Sequence, residues 1–271
     1  MKVAILDGYN LLHRARFGMK QGDDHIVYSF FRSLRPLIEE ISPDITYVVL
    51  EGSPKKRLIL DSEYKANRKI DDDDPRAAEM KEFRRQKSIA LDVLKSMPIE
   101  IVYHPDHECD DVIAHIVTDV HPQDQKVIVS SDTDFLQIFR MNNSVEIYNP
   151  VKKSYLAQPE YDYVMWKALR GDKTDNIPGI PGIGDVTAEN LTRNPEALRA
   201  WIGENPGLVE TLKRNISLVS FEKVDGDKME ISHPDVNWEV VYDRFKEMGF
   251  WSIINQKSWS KYVKTFDKRC L

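Results

Sequence analysis

Residues 2–7 read KVAILD, an apolar run of strand length closed by an acid, Asp7. Two further runs end the same way: Ile45–Leu50 is followed by Glu51, and Lys126–Ser130 by Asp132 and Asp134. Val- and Ile-rich runs of this length read as buried strands, and Ile99–Tyr103 and Val145–Tyr148 join the set. Helical patterns lie between them. Ile26, Phe30, Leu34, Leu37, Ile38 and Ile41 form one apolar stripe with Asp24 as its N-cap, and residues 76–97 and 112–120 are further helix candidates. Strands alternating with helices predict an α/β fold, a mostly parallel central sheet flanked by helices. In such a sheet the functional crevice lies outside the C-terminal strand ends. Three strand exits therefore bring Asp7, Glu51, Asp132 and Asp134 to one edge.

More acids follow. Glu108-Cys109-Asp110-Asp111 opens a predicted helix, where acids are also ordinary first-turn residues favoured by the helix dipole. Asp172 and Asp175 are three apart and share one side of a helical turn. Each cluster alone is more often structural than catalytic. Gathered on one edge, they repel one another unless cations neutralise them. Oxygen-only ligands select hard ions such as Mg²⁺, with Mn²⁺ as a substitute. Two such ions activate a water and stabilise the leaving oxygen of an in-line phosphoryl displacement, the chemistry of a phosphodiesterase or nuclease. Residues 171–191, GDKTDNIPGIPGIGDVTAENL, hold four Gly and two Pro. Gly179–Gly184 before a helix offers free backbone N–H groups, an anion site. It lacks G-x-x-x-x-G-K-[ST] and so is no nucleotide P-loop. Alone it is only a turn; beside the acids it suits a helix-hairpin-helix that grips a DNA backbone without reading bases.

Composition agrees with a folded enzyme. The chain has 271 residues, 41% hydrophobic and 10% aromatic, enough for a buried core. A net charge of −6 argues at face value against nucleic acid, because phosphate affinity comes from Lys and Arg. Setting aside the nine acids named above leaves fewer acids than the 38 basic residues. Residues 62–87, SEYKANRKIDDDDPRAAEMKEFRRQK, form a polar insertion of the functional or mobile kind. Cys109 and Cys270 give neither a disulfide framework nor a metal-type pair, and Cys109 among acids reads as an unreactive thiol. Val3–Leu6 is too short for a signal peptide and no run spans a bilayer, so a cytoplasmic address is expected. His104 and His107 read as loop residues, and Trp238, Trp251 and Trp259 as C-terminal packing. A strand is expected over Leu218–Val224 and a helix over Glu239–Met248.

In this order, ILDGYNLLHR (5–14), VVLEGSPKKR (48–57), EYKANR (63–68), ECDDVIA (108–114), SSDTDFLQI (130–138) and GDKTDNIPGIPGIG (171–184) resemble the 5′ nuclease (flap endonuclease) family. The likeness is greatest to its bacteriophage 5′–3′ exonuclease and RNase H members, and it covers residues 1–215. It implies a PIN-like nuclease core over 1–158 with a helical arch at 62–88, and a helix-hairpin-helix subdomain over 159–215. Residues 216–271 would pack back on the core. By the same resemblance, Asp7, Glu108, Asp110 and Asp132 hold a first metal, with Asp111 sharing it or standing behind it. Asp134, Asp172 and Asp175 serve a second. Tyr64 stacks on the substrate at the base of the arch, while Lys65 and Arg68 contact the scissile phosphate. Gly179, Gly182, Ile183 and Gly184 bind the DNA backbone, in the family with K⁺. Glu51 stands where the family has Asp. Its extra methylene, about 1.5 Å, implies ligation through water or a weaker first metal. Asp71–Asp74 is expected at the solvated tip of the arch.

The activity implied is a Mg²⁺-dependent, structure-specific 5′ nuclease acting on 5′ flaps, nicks, single-strand/duplex junctions and RNA–DNA hybrids. It leaves a 5′-phosphate and a 3′-hydroxyl, removes RNA primers in replication, and works as a monomer with a single-strand-binding protein or clamp. Two other readings compete. One is a non-catalytic branched-DNA-binding protein of the same fold, with Glu51 as the mark of a damaged site. The other is a PIN-type single-strand ribonuclease, which has no use for Gly179–Gly184.

Overall fold

Five parallel strands form the centre of the sheet: β1 (Lys2–Asp7), β2 (Ile45–Val49), β3 (Glu100–Tyr103), β4 (Gln125–Val129) and β5 (Val145–Asn149), in the order β5-β4-β1-β2-β3. Short antiparallel strands close its edges, β6 (Ser154–Tyr155) beside β5 and, after the separate hairpin of β7 (Gly171–Asp172) and β8 (Ile177–Pro178), β9 (Glu230–Ser232) beside β3. This computed structural model describes residues 1–20, 22–71 and 73–267; Asp72 and Cys270 lie outside the described residues.

The register places the acids. β1 pairs Asp7 with Val49 on one side and Leu6 with Val129 on the other, so β1, β2 and β4 end level and their exits open at one edge. Both faces of the sheet are buried, as a parallel sheet requires. Ala4, Leu6, Val48, Val127 and Val129 point to one core; Val3, Ile5, Val49 and Ile128 point to the other.

The helices α1 (Gly8–Ala15), α2 (His25–Ile41), α3 (Lys55–Leu60), α4 (Ala77–Leu94) and α5 (Cys109–His115) connect the strands. The apolar stripe of α2 and the buried Phe83, Ala90 and Leu94 of α4 fill the first core. The second is covered by α5, a π turn over Ile116–Val120 and a 3₁₀ helix over Thr133–Arg140. A separate small core, Ala168, Leu169, Ile180, Ala188 and Leu212, lies between α6 (Tyr163–Arg170), α7 (Asp185–Arg193) and α9 (Val209–Val219), with α8 (Pro195–Glu204) alongside. The last helices, α10 (Trp238–Glu247), α11 (Trp251–Ile254) and α12 (Gln256–Phe266), bury Val241, Phe245, Ile254 and Tyr262 in the first core.

Several expectations change. Residues Leu218 and Val219 end α9 instead of opening a strand, and the paired segment is β9, eleven residues beyond. His104 and His107 do lie in the loop between β3 and α5, but both are buried there with their rings edge to face. Asp24 precedes α2 without a capping bond, because its carboxylate pairs with Arg85 of α4. Trp238 and Trp259 pack together, whereas Trp251 is 59% exposed.

Phe245 sits 5.1 Å ring to ring from Phe31 and is fully buried. Phe245→Ala should cost about 3–5 kcal/mol in urea unfolding. A loss under about 1 kcal/mol would show that the C-terminal helices do not belong to this core.

Candidate active site

Most of the acids reach one cleft because local structure fixes them there. Asp7 N-caps α1, accepting from the Asn10 backbone N–H at 3.0 Å, and its other oxygen accepts from the Ser130 hydroxyl at 2.8 Å. Asp132 caps the 3₁₀ helix through the Asp134 N–H at 2.9 Å. Glu108 caps α5, and Glu51 accepts from the Cys109 N–H at 3.1 Å. Caps are ordinary structural uses of an acid, but each such bond occupies one side of a carboxylate and holds the rest in a fixed direction. Asp7, Glu51, Glu108, Asp110, Asp132, Asp134, Asp172 and Asp175 all line one cleft of about 850 Å³. Ligand atoms of Asp134, Asp172 and Asp175 lie within 4.8 Å of one another, as do those of Glu108, Asp110 and Asp111.

Basic groups share the cleft. Lys65 pairs with Glu108, and Arg68 pairs with Asp175. Lys65 holds a left-handed backbone, φ 55°, fixed by its N–H donating to the Asp175 carbonyl at 3.0 Å. The base of the polar insertion is thereby tied to the loop after α6. A third cation escaped the sequence reading. Lys167, buried on α6, donates to Asp134 and lies 2.6 Å from Asp172. Its only sequence signal is a lysine among apolar residues one turn before Asp172. The cleft is also lined by Tyr9, His13, Arg14 and Arg16 of the first helix and its end, which sequence reasoning did not single out.

Tyr64 departs from its assigned role, and of the two places given to Asp111 the structure favours the one behind the cleft. Tyr64 is 4% exposed and its hydroxyl donates to Glu108 at 3.0 Å. Its ring lies under Lys65 and Arg57 and offers no face for stacking on a substrate. Asp111 is fully buried and absent from the cleft lining, because both of its oxygens accept from Arg57, at 2.7 and 2.8 Å. A further grouping of His107, Asp111 and Glu222 shares that same carboxylate. Gly179 and the pair Gly182/Gly184 also differ. A Cβ on Gly179 would fall 2.1 Å from the Arg170 carbonyl, so this glycine serves close packing. Gly182, at φ 82°, and Gly184 are open to solvent before α7, with Ile183 part-buried between them.

The electrostatics show what the acids lack. Burial, reinforced by Glu108, raises the Glu51 pKa to about 7. Burial and the neighbouring Asp134 raise Asp132 to about 6. Burial also raises Asp7, Asp175 and, well above its ordinary value with help from Asp111 and Glu108, Asp110. Asp172 goes the other way: burial is outweighed by the Lys167 ammonium. Cys109 is buried among these acids and its thiol is raised, which removes it as a nucleophile. Buried carboxylates without enough positive charge are a site made for cations of the hard, oxygen-preferring kind.

The comparisons with known proteins agree with this geometry. The family described as 5′-3′ exonuclease, N-terminal resolvase-like domain, matches residues 2–166. The chain belongs to that family of hydrolytic nucleases. It is 32% identical over 207 residues to a 5′-3′ exonuclease of Aquifex aeolicus, covering 70% of this chain and 68% of that protein. It is 27% identical over 265 residues to the thermostable DNA polymerase I of Thermus thermophilus, 90% of this chain but 30% of the polymerase. In fold it is similar to the T5 5′-exonuclease with bound zinc ions, TM-score 0.68 at 20% identity over all of both chains. It is also similar to the catalytic core of Rad2 in complex with DNA substrate, TM-score 0.59 at 16% identity over 98% and 91% of the two chains. The fold is therefore the PIN-like nuclease fold. Among the described residues no helix is long and apolar enough to cross a membrane.

The raised pKa values make a pH-dependent prediction. The unfolded chain's Glu and Asp titrate near 4, so at Glu51 and Asp132 the metal-free fold holds more protons than the unfolded chain between about pH 4 and 7. These groups stabilise the apo fold fully below that window and lose their contribution as pH rises through it. A divalent ion binds the ionised form. The Mg²⁺-induced rise in Tm should therefore be larger at about pH 8 than at about pH 5.5. An equal rise at both would contradict the shifts.

Proposed function

We propose that this chain is a structure-specific 5′ nuclease, with 5′–3′ exonuclease and flap endonuclease activity. It cuts phosphodiesters near the 5′ ends of flaps, nicks, single-strand/duplex junctions and RNA–DNA hybrids. The observation that carries the reading is the convergence of eight acids on one cleft with Lys65 and Arg68 among them. The relatives described as 5′-3′ exonucleases and DNA polymerases support it, as do folds described in complex with divalent ions and DNA.

The residues fit two Mg²⁺ ions, replaceable by Mn²⁺. Asp7, Glu108, Asp110, Asp132 and, at longer reach, Glu51 would hold the first; Asp134, Asp172 and Asp175 the second. Bound there, such ions supply a water of lowered pKa and neutralise charge on the leaving oxygen. The chain's own groups do the rest. Lys65 and Arg68, paired with Glu108 and Asp175, keep two positive charges at the cleft that would offset phosphate charge growing in the transition state. Lys167 pairs with Asp134 and Asp172 and holds both in place, and its ammonium lowers the Asp172 pKa. Gly182–Gly184 and the start of α7 present exposed backbone for a duplex phosphate, a grip to which K⁺ would add. Division into 1–158, 159–215 and 216–271, primer removal during replication, and cooperation of a monomer with a single-strand-binding protein or clamp belong to the same proposal.

A 5′-labelled flap duplex should be cut with Mg²⁺ and left whole with chelator; no metal-dependent cutting would sink the proposal. Lys65→Ala should lower kcat by about 10²–10³-fold with KM nearly unchanged. Equal losses in both constants would make Lys65 a substrate-binding group only.

A further inference from the structure

We propose that Arg57, which lies outside the cleft, is a positioning residue for the metal site: with Asp111 as its counter-charge, it clamps one oxygen of Glu108 and turns the other toward the cleft. The inference rests on the nuclease reading above.

Arg57 is the one buried residue of α3 and is 2% exposed. An isolated buried guanidinium is costly, so its partners must account for it. All five of its N–H donors are used. Nε donates to the Leu218 carbonyl at 3.0 Å, and Nη2 to the Ser220 carbonyl at 2.8 Å and to Asp111 Oδ1 at 2.8 Å. Nη1 donates to Asp111 Oδ2 at 2.7 Å and Glu108 Oε2 at 2.6 Å. The bidentate pairing with Asp111, end-on through Nη1 and Nη2, is a strong and geometrically specific form of this contact.

The division of labour follows from charge. Asp111 receives two guanidinium bonds and also the Glu222 N–H at 2.7 Å, so it is fully engaged and balances Arg57. Glu108 receives only one guanidinium bond, on Oε2, which also accepts from the Tyr64 hydroxyl. Oε1 is left for the cleft side, where Lys65 meets it. Arg57 therefore orients Glu108 without cancelling its charge, because Asp111 has already met that demand. The same guanidinium satisfies carbonyls at the end of α9, which otherwise end a helix without partners. It thus staples the last helix of the glycine-rich region to the acid that opens α5.

A purely structural ion pair would stabilise the fold and leave metal affinity alone. A positioning group moves metal affinity in protein that remains folded, where loss of such an outer partner typically costs about 10–100-fold. The test uses the full chain and three variants, Arg57→Lys, Asp111→Asn and Tyr64→Phe. Each is read by circular dichroism for folding and by the Mg²⁺ concentration that half-saturates the rise in Tm, with half-maximal flap cleavage as a parallel readout. Arg57→Lys keeps a charge but loses the fork, and Asp111→Asn throws the Arg57 charge onto Glu108. Both should raise the half-saturating Mg²⁺ about tenfold or more. Tyr64→Phe, which removes only a hydroxyl, should raise it a few-fold and should fold even if Arg57→Lys does not. Half-saturation within about twofold of the unaltered protein, in every variant that folds, would overturn the proposal. Because the Tm readout needs no cleavage, an unaltered protein that binds Mg²⁺ but cuts no flap would overturn the nuclease reading and leave this inference to be judged on its own.

Discussion

Carboxylates packed at the end of a low-dielectric sheet repel one another, and the need to offset that repulsion organises the whole cleft. Pairwise repulsion of unit charges a few ångströms apart is several times stronger in a protein interior than in water. The fold answers it in three ways. Some acids carry raised pKa values, as Glu51, Asp110 and Asp132 do. Some are paired with buried or half-buried cations, as Asp134 and Asp172 with Lys167 and Asp111 with Arg57. Glu108 and Asp175 meet Lys65 and Arg68 within the cleft itself. A site that costs this much to assemble is retained for its chemistry, since a structural role would be served more cheaply by apolar side chains.

The acidic balance of the chain takes on a different meaning in this light. The net charge of −6 is concentrated where cations would bind, while Lys65, Arg68, Arg14 and Arg16 line the same cleft. A phosphate in the cleft has these positive groups within its walls. What reads in the composition as hostility to nucleic acid is the local charge of a cation-binding centre.

The sheet and most of its acids were legible in the sequence because two periodicities carry them. Apolar runs such as Val3–Leu6 and Val127–Val129 mark strands buried on both faces, and an acid just beyond such a run must emerge at the C-terminal edge. The parts that were not legible depend on tertiary partners. Arg57 and Lys167 look like surface cations on short helices until Glu108, Asp111, Asp134 and Asp172 are seen around them. Tyr64 matches a motif whose order suggested an exposed ring, but its hydroxyl reaches Glu108 and the ring follows it inward. β9 is three exposed residues whose pairing with β3 has no local signature, and Leu218–Val219 has the composition of a strand but continues α9.

On the proposed reading the cleft is an anionic site for two divalent ions. Calorimetric titration of Mg²⁺ into the metal-free chain near neutral pH, repeated in buffers of different ionisation enthalpy, counts both the ions bound and the protons released. Two ions per chain should bind with net proton release, because Glu51, raised to about 7, is partly protonated before binding. Binding of no ion, or binding with no proton release, would contradict it.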